Sequence, residues 1–502
     1  LQEIAEGLLY GSIVKDREIS SQCKVLFQGL GNHILLLLAS QNHLIARLSN
    51  NGSIIDDFRT SPSPPSNSKQ QHESPHMGSF RLLSPLHDGA DPFVVNNALV
   101  SMLCDGNADA KKAAINMLEY LVARAQDMFP SDPTVTVNHL LFEHLLSSLL
   151  QACLDKPWNL KSGAYDGIYT LCRTLSLSFA APFETQIMTA ALFILKDSPR
   201  EVSSAAVEGS LGFLIHMLTF FHGEMIADNE VWIDALALPG LAEVAPKVEN
   251  ATADTAAMAV DGVTDFKPPP PETILMLVNE LTSSKHIVRF GARLAIQHIS
   301  NSLGTPIAAL LKVHESHLKK VLFGKSFSTL PLVQQVGITE TLTFLVSKAP
   351  GMIELDSNVN NTLKAMLNAG SDFEGSGSSE NSSANPHASA IFLRGASSLS
   401  SSVTGGPTIT IQSELPHGIQ LRVSAVLFCR ALIHNNPIGF FMNDSIKGFP
   451  DVRTMAMDLI FRSMVSSHSQ AVLASHATLR EIVDISEKSL GEIDNNFQTR
   501  LG

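Results

Sequence analysis

Apolar residues recur at three- and four-residue spacing over most of the chain, the pattern of helices that bury a single stripe. Between Asn138 and Leu150, the residues Leu141, Leu145, Leu146, Leu149 and Leu150 share one stripe. The same period runs through Ile274 to Leu281 and Leu332 to Val346. Alternating runs of β-branched and aromatic residues, the mark of strands, are not concentrated anywhere, so the pattern predicts an all-α fold.

A short motif repeats within this pattern: an aliphatic residue, usually a basic one after it, then Ala four positions after the aliphatic. It occurs at Ala110, Lys111 and Ala114, and at Val202, Ser203 and Ala206. It recurs at Val288, Arg289 and Ala292, at Leu421, Arg422 and Ala425, and at Val452, Arg453 and Ala456. A large apolar residue follows eight positions after the aliphatic at Leu118, Ile296 and Ile460, with Leu211 one place late in the second copy. Spacings of four and eight put these positions on one face, and the small Ala lets a neighbouring helix approach closely. Asp109, Pro199 and Pro450-Asp451 supply helix-start residues just upstream. This is the form of the second helix of a HEAT repeat, and it predicts a HEAT-like α-solenoid of antiparallel helix pairs. Val202, Ala206, Val288, Ala292, Val452 and Ala456 are expected at buried helix contacts.

Three segments interrupt the period with compositions that cannot bury enough apolar area to offset ordering entropy. Residues 50–84 carry Ser-Pro-Ser-Pro-Pro, 224–271 are acidic and Ala-rich and end in four prolines, and 370–415 are dominated by Ser, Gly and Asn. They are expected to be disordered insertions. The helical repeats then occupy 1–49, 85–223, 272–369 and 416–502.

Composition narrows the function. Hydrophobic residues make up 44% of the chain and charged ones 17%, enough for a large aliphatic core. The net charge of -13, without a Lys/Arg block, argues against a general nucleic-acid surface and favours basic or mixed-charge protein partners. Cys23, Cys104, Cys153, Cys172 and Cys429 are scattered without C-x-x-C spacing and read as reduced core thiols. The longest apolar run, Ile34 to Ala39, is far short of a bilayer span, so no membrane partner is expected. Leu1 to Tyr10 lacks an initiator Met and a signal-like core, so the chain is expected to be a fragment of a larger protein.

Catalytic, cofactor and metal constellations fail on spacing or context. Gly324-Lys325-Ser326 ends like a phosphate loop, but Lys319 stands where that loop needs Gly; a Gly-closed helix end is the better reading. Asp372-Phe373 is followed by Glu374 rather than Gly. His314 and His317 could share a helix face, and His139 and His144 could not, and no Glu or Cys completes a ligand set. No G-x-S-x-G elbow occurs. Site residues, catalytic, cofactor-binding and metal alike, are therefore expected to be none, the cofactors none, and the protein not an enzyme. Trp158, in Trp-x-x-Lys-x-Gly with Lys161 and Gly163, is read as packed between consecutive repeats, with Gly163 at a turn into a helix over Ala164 to Leu175.

Leu145 to Leu175, with Cys153, Trp158, Lys161, Gly163 and Ile168, followed by Ala190 to Val207, resembles the HEAT region of the TRRAP (transformation/transcription domain-associated protein) family. Weaker similarity covers Glu280 to Lys320 and Leu415 to Val465. The resemblance implies a phosphatidylinositol-3-kinase-related pseudokinase, a non-enzymatic nuclear subunit of histone acetyltransferase complexes of the SAGA type. Its solenoid would receive transcription activators and partner subunits. The regulatory solenoid of an active kinase of the same superfamily and a nuclear transport receptor are the alternatives. Irregular motif spacing counts against the second of these.

Overall fold

The computed structural model describes residues 2–50, 93–128, 140–155, 157–197, 204–223, 268–353, 357–375, 417–435, 449–466 and 468–501. Side chains are described throughout these except at 38–50, 158–159, 204–208, 357, 368–375, 449–451 and 488–501. Every regular element among them is helical. The three expected insertions lie almost wholly outside the described residues, as do Val202 and the side chains of Ala206 and Trp158.

The chain divides into two units. Unit 1 holds α1 (Gln2–Gly11), α2 (Arg17–Asn50), α3 (Val94–Leu103), α4 (Ala108–Met128), α5 (Leu140–Asp155), α6 (Trp158–Leu175), the single turn α7 (Leu177–Ala180) and α8 (Glu184–Asp197), with the larger part of α9 (Ser204–His222). These pair as α1/α2, α3/α4 and α5/α6, and α1, α3, α5 and α8 stack side by side as one layer. α2, α4 and α6 stack as the other. α9 joins α6 through Tyr165 on Phe213 and Tyr169 on His216.

Unit 2 holds α10 (Pro271–Glu280), α11 (His286–Ser302), α12 (Ile307–Leu311), α13 (Glu315–Phe323), α14 (Leu332–Lys348), α15 (Ser357–Gly375), α16 (His417–Asn435), α17 (Phe449–Met464) and α18 (Ser469–Leu501). α11, α14, α16 and α18 stack in sequence as one layer; α10 meets α13 and α15 meets α17 in the other. α15 continues beyond the expected boundary at 370 because Val359, Leu363 and Met366 provide a buried stripe that carries the helix into the Gly/Ser-rich stretch.

Four helix starts share one local cause. Pro157, Pro270, Pro306 and Pro331 precede α6, α10, α12 and α14 with φ between -53 and -55 and ψ between 141 and 148, the extended conformation that a residue before a helix adopts. The core follows the expected stripes. Ala110, Ala114 and Leu118 are fully buried, as are Val288, Ala292 and Ile296, and Val452, Ala456 and Ile460; Leu421, Ala425 and Leu211 join them. All five leucines of the Leu141 to Leu150 stripe are buried. Leu177–Asp197 is long and apolar enough, by length and composition alone, to cross a membrane, a segment that the sequence reading passed over. In unit 1 Ile187, Met188, Ala191 and Ile194 of that segment are buried in the core.

Candidate functional site

In three copies of the motif the basic residue beside the buried stripe reaches a neighbouring helix or turn. In unit 1 Lys111 Nζ donates to Ser162 Oγ on α6 at 2.6 Å. In unit 2 Arg289, 1% exposed, donates through Nε and Nη2 to both Glu340 oxygens on α14 at 2.8 and 2.9 Å. Its Nη1 closes the preceding turn on the carbonyls of Ser283 and Ser284 at 2.8 and 3.2 Å. Arg293 Nη2 lies 3.4 Å from the same carboxylate. Burial would raise the Glu340 pKa, but Arg289 and Arg293 outweigh it, and the carboxyl is held below its ordinary value. Arg422 makes a third such link, to Ser466 Oγ at 3.3 Å.

The Trp-x-x-Lys-x-Gly segment is built differently from expectation. α6 already begins at Trp158, behind Pro157, so Gly163 lies inside the helix rather than at a turn. A Cβ on Gly163 would stand inside the carbonyl of Leu103, so the glycine is there for the close approach of α3, as close packing between repeats requires. Lys161, 1% exposed, donates to Asp197 Oδ2 at 2.6 Å and stands 4.7 Å over the Phe193 ring, tying α6 to α8.

Opposite that packed side, α6 presents Ser162, Asp166, Tyr169 and Arg173, spaced four, three and four residues apart along one outward stripe. Two rungs link the stripe to α4: Lys111 to Ser162, and Arg173 Nη2 to Glu119 Oε1 at 2.8 Å. The rings of Tyr165 and Tyr169 stack on Phe213 and His216 with centroids 5.3 and 4.9 Å apart, and the Arg173 guanidinium lies 5.9 Å over Tyr169. Asp166 sits between the rungs with no hydrogen-bond donor among the described residues. It is exposed on its outer side, while the packed helices beneath displace water and push its carboxyl up to about 6, Lys111 pulling the other way. Burial likewise holds His216 below its usual range. Sequence reading missed this stripe; its signal was a polar and aromatic period-3.6 pattern on the face away from the leucines.

Other candidates resolve into structure. Gly324 follows α13 and its N–H closes the helix on the Lys320 carbonyl at 2.9 Å, with no strand before it. His317 Nε2 pairs with Asn279 Oδ1 at 2.7 Å, and His144 lies against Phe93 with Nδ1 3.1 Å from Asn96 Nδ2. Among the described residues no three His, Cys, Asp or Glu side chains are grouped to hold a metal ion. Cys104, Cys153, Cys172 and Cys429 are buried free thiols, and burial pushes Cys153, Cys172 and Cys429 up to about 12, far from a reactive thiolate. An open hollow of ≈ 350 Å³ between the α1–α2 turn and α4 has Ser12, Lys24, Gln28, Asp109, Lys112 and Asn116 in its lining and no nucleophile with an adjacent base.

The helix stack and the links between its helices agree with what the chain is similar to. The model of the Tra1 HEAT repeat ring region matches residues 1–493. The chain belongs to the Tra1 family. It is 21% identical over 272 residues to Transcription-associated protein 1 of Drosophila melanogaster, covering 53% of this chain and 6% of that protein. It is 23% identical over 215 residues to the SAGA complex/NuA4 acetyltransferase complex subunit TRA1 of Saccharomyces cerevisiae, covering 42% and 5%. The chain thus spans about one-twentieth of the length of these Tra1 relatives. Among solved structures, importin beta aligns over 91% of this chain and 60% of its own, at 10% identity and a TM-score of 0.24, too low to add to the Tra1 assignment.

Proposed function

We propose that this chain is a non-catalytic scaffold segment of a nuclear transcription co-activator, within a subunit of histone acetyltransferase complexes. The match to the Tra1 HEAT ring along 1–493 carries the reading, and the relatives named as SAGA and NuA4 subunits give it its setting. The physical properties are consistent with it: stacked helices offer an extended surface, and the polar groups beside them link helix pairs rather than forming a nucleophile, acid and base around a pocket. Its ligands are protein partners, transcription activators and complex subunits, with no cofactor, no direct nucleic acid and no membrane. The test is affinity purification of the full-length protein from nuclear extract, with mass spectrometry of what accompanies it. Acetyltransferase-complex subunits in near-equal amounts are the expected result; a full-length protein that purifies without any of them overturns the reading. ATP hydrolysis or acetyl transfer by this segment, abolished by one substitution within it, would also defeat it.

A further inference from the structure

We propose that the outward stripe of α6, from Ser162 to Arg173, docks a basic protein segment that sets one arginine or lysine side chain beside the Asp166 carboxylate. The proposal specifies a partner surface within the scaffold function and presupposes it.

Among the described residues Asp166 has no hydrogen-bond donor, and Lys111, the cation that acts on its charge, donates to Ser162 instead. The rungs on either side are complete, Lys111 on Ser162 and Arg173 on Glu119, and Ile115, midway between Lys111 and Glu119 on α4, offers no donor. A carboxylate that has lost part of its water and gained no hydrogen bond is stabilised most by an incoming cation. Its surroundings are those of a contact surface rather than a solvated face. Three of the chain's four tyrosines, Tyr120, Tyr165 and Tyr169, lie on α4 and α6. Tyr165 and Tyr169 are held rigid by Phe213 and His216, and interface centres are enriched in tyrosine and arginine so held. From Ser162 to Arg173 the stripe runs about 16 Å along the helix, a length that suits a peptide segment rather than a small amine. A carboxylate at its centre repels phosphates, which disfavours nucleic acid.

The test is fluorescence anisotropy of the intact 502-residue chain with a short labelled peptide of alternating arginine and glycine. Asp166→Asn should weaken saturable binding by about tenfold, as expected for losing one charged contact. Gly212, beside Phe213 on α9, has open space where a side chain would stand, so Gly212→Leu should obstruct the stripe without a clash and weaken binding as well. Gly212→Leu should melt like the wild type and Asp166→Asn no lower than it, so that weaker binding does not report unfolding. Asp458→Asn removes the same charge from unit 2 and should leave the affinity unchanged. No saturable binding to the wild type overturns the proposal, as does wild-type affinity in Asp166→Asn and Gly212→Leu. Equal weakening by Asp458→Asn, which reports bulk charge alone, does so too, as does saturable binding of a labelled DNA duplex that Gly212→Leu weakens. Complex assembly by full-length protein is scored in parallel. Loss of the peptide result with assembly intact removes this surface alone; wild-type protein that fails to assemble removes the scaffold reading.

Discussion

Lys111 in unit 1 and Arg289 in unit 2 occupy the same place in the same motif, and each reaches a residue 51 positions later in the chain, yet the two contacts differ in kind. Lys111 makes a single bond to a neutral hydroxyl at a part-exposed edge. Arg289 is buried, fills both oxygens of Glu340 and closes two backbone carbonyls. Unit 1 carries its buried charge elsewhere, in Lys161 on Asp197. The motif therefore sets where the link goes, while the residue opposite decides whether it is a surface hydrogen bond or a buried ion pair.

The largest expected effect tests that difference directly. Arg289→Met should destabilise the chain by about 3 to 5 kcal/mol, because it leaves buried Glu340 with only the longer Arg293 contact and strands two carbonyls, whereas Lys111→Met should cost about 1 kcal/mol or less. Urea titration of both variants decides it, and equal midpoints would mean that the buried pair is no more than its unit 1 counterpart.

Glycine packing separates the units next. Gly163→Ala drives a methyl group into the Leu103 carbonyl, which is backbone and cannot swing aside. Gly337→Ala meets the Thr282 carbonyl at 3.0 Å and the Arg289 stem at 3.3 Å, which asks for a shift of a few tenths of an ångström. Gly163→Ala should cost about 2 to 3 kcal/mol and Gly337→Ala about 1 kcal/mol or less, part of each offset by better helix propensity. Thermal melts of the pair check the ranking.

Helix ends supply a smaller contrast. Among the described residues, the left-handed turns of unit 2 use glycine, as at Gly304 (φ 58) and Gly351 (φ 89), whereas unit 1 places Ser176 at φ 106. Ser176→Gly should stabilise by about 1 kcal/mol, and Gly304→Ala should destabilise by a similar amount. A loss of stability in Ser176→Gly would show that the serine contacts outweigh the strain.

Acid sharpens the comparison with the smallest effect. Glu340 has a folded pKa below its unfolded value, so its contribution is present above that unfolded value and fades as pH falls through the folded one. Asp166 is raised from 3.8 to about 6, so it binds a proton more tightly when folded and favours the folded state as pH drops between those values. Stability curves of Glu340→Gln and Asp166→Asn against wild type should therefore converge on it from opposite sides, Asp166→Asn between pH 7 and pH 4 and Glu340→Gln only below about pH 4.5. Parallel curves for Asp166→Asn would mean that its carboxyl titrates normally.

Much of this was legible from local chemistry. The buried stripes at Leu141 to Leu150 and the motif residues Ala114, Ala292 and Ala456 were readable because helix periodicity places a side chain before any neighbour is known. The start of α6 was misread because Gly163 looks like a turn residue in isolation; only the Leu103 carbonyl beside it shows why it is small. Asp166 was missed because nothing in its own sequence neighbourhood marks it out.

By itself, then, the sequence determined the helical class, the repeat motif, the buried face of each helix and the family, since these depend on spacing along one chain. Only the tertiary structure decided that Arg289 and Lys161 are buried ion-pair members, that Lys111 is a surface link and that Asp166 stands between completed rungs. Each of those depends on which residue a stacked helix, some 36 to 54 positions away in the chain, sets opposite the charge. Burial and partner fix the strength of a charge, and neither is a property of the residue alone.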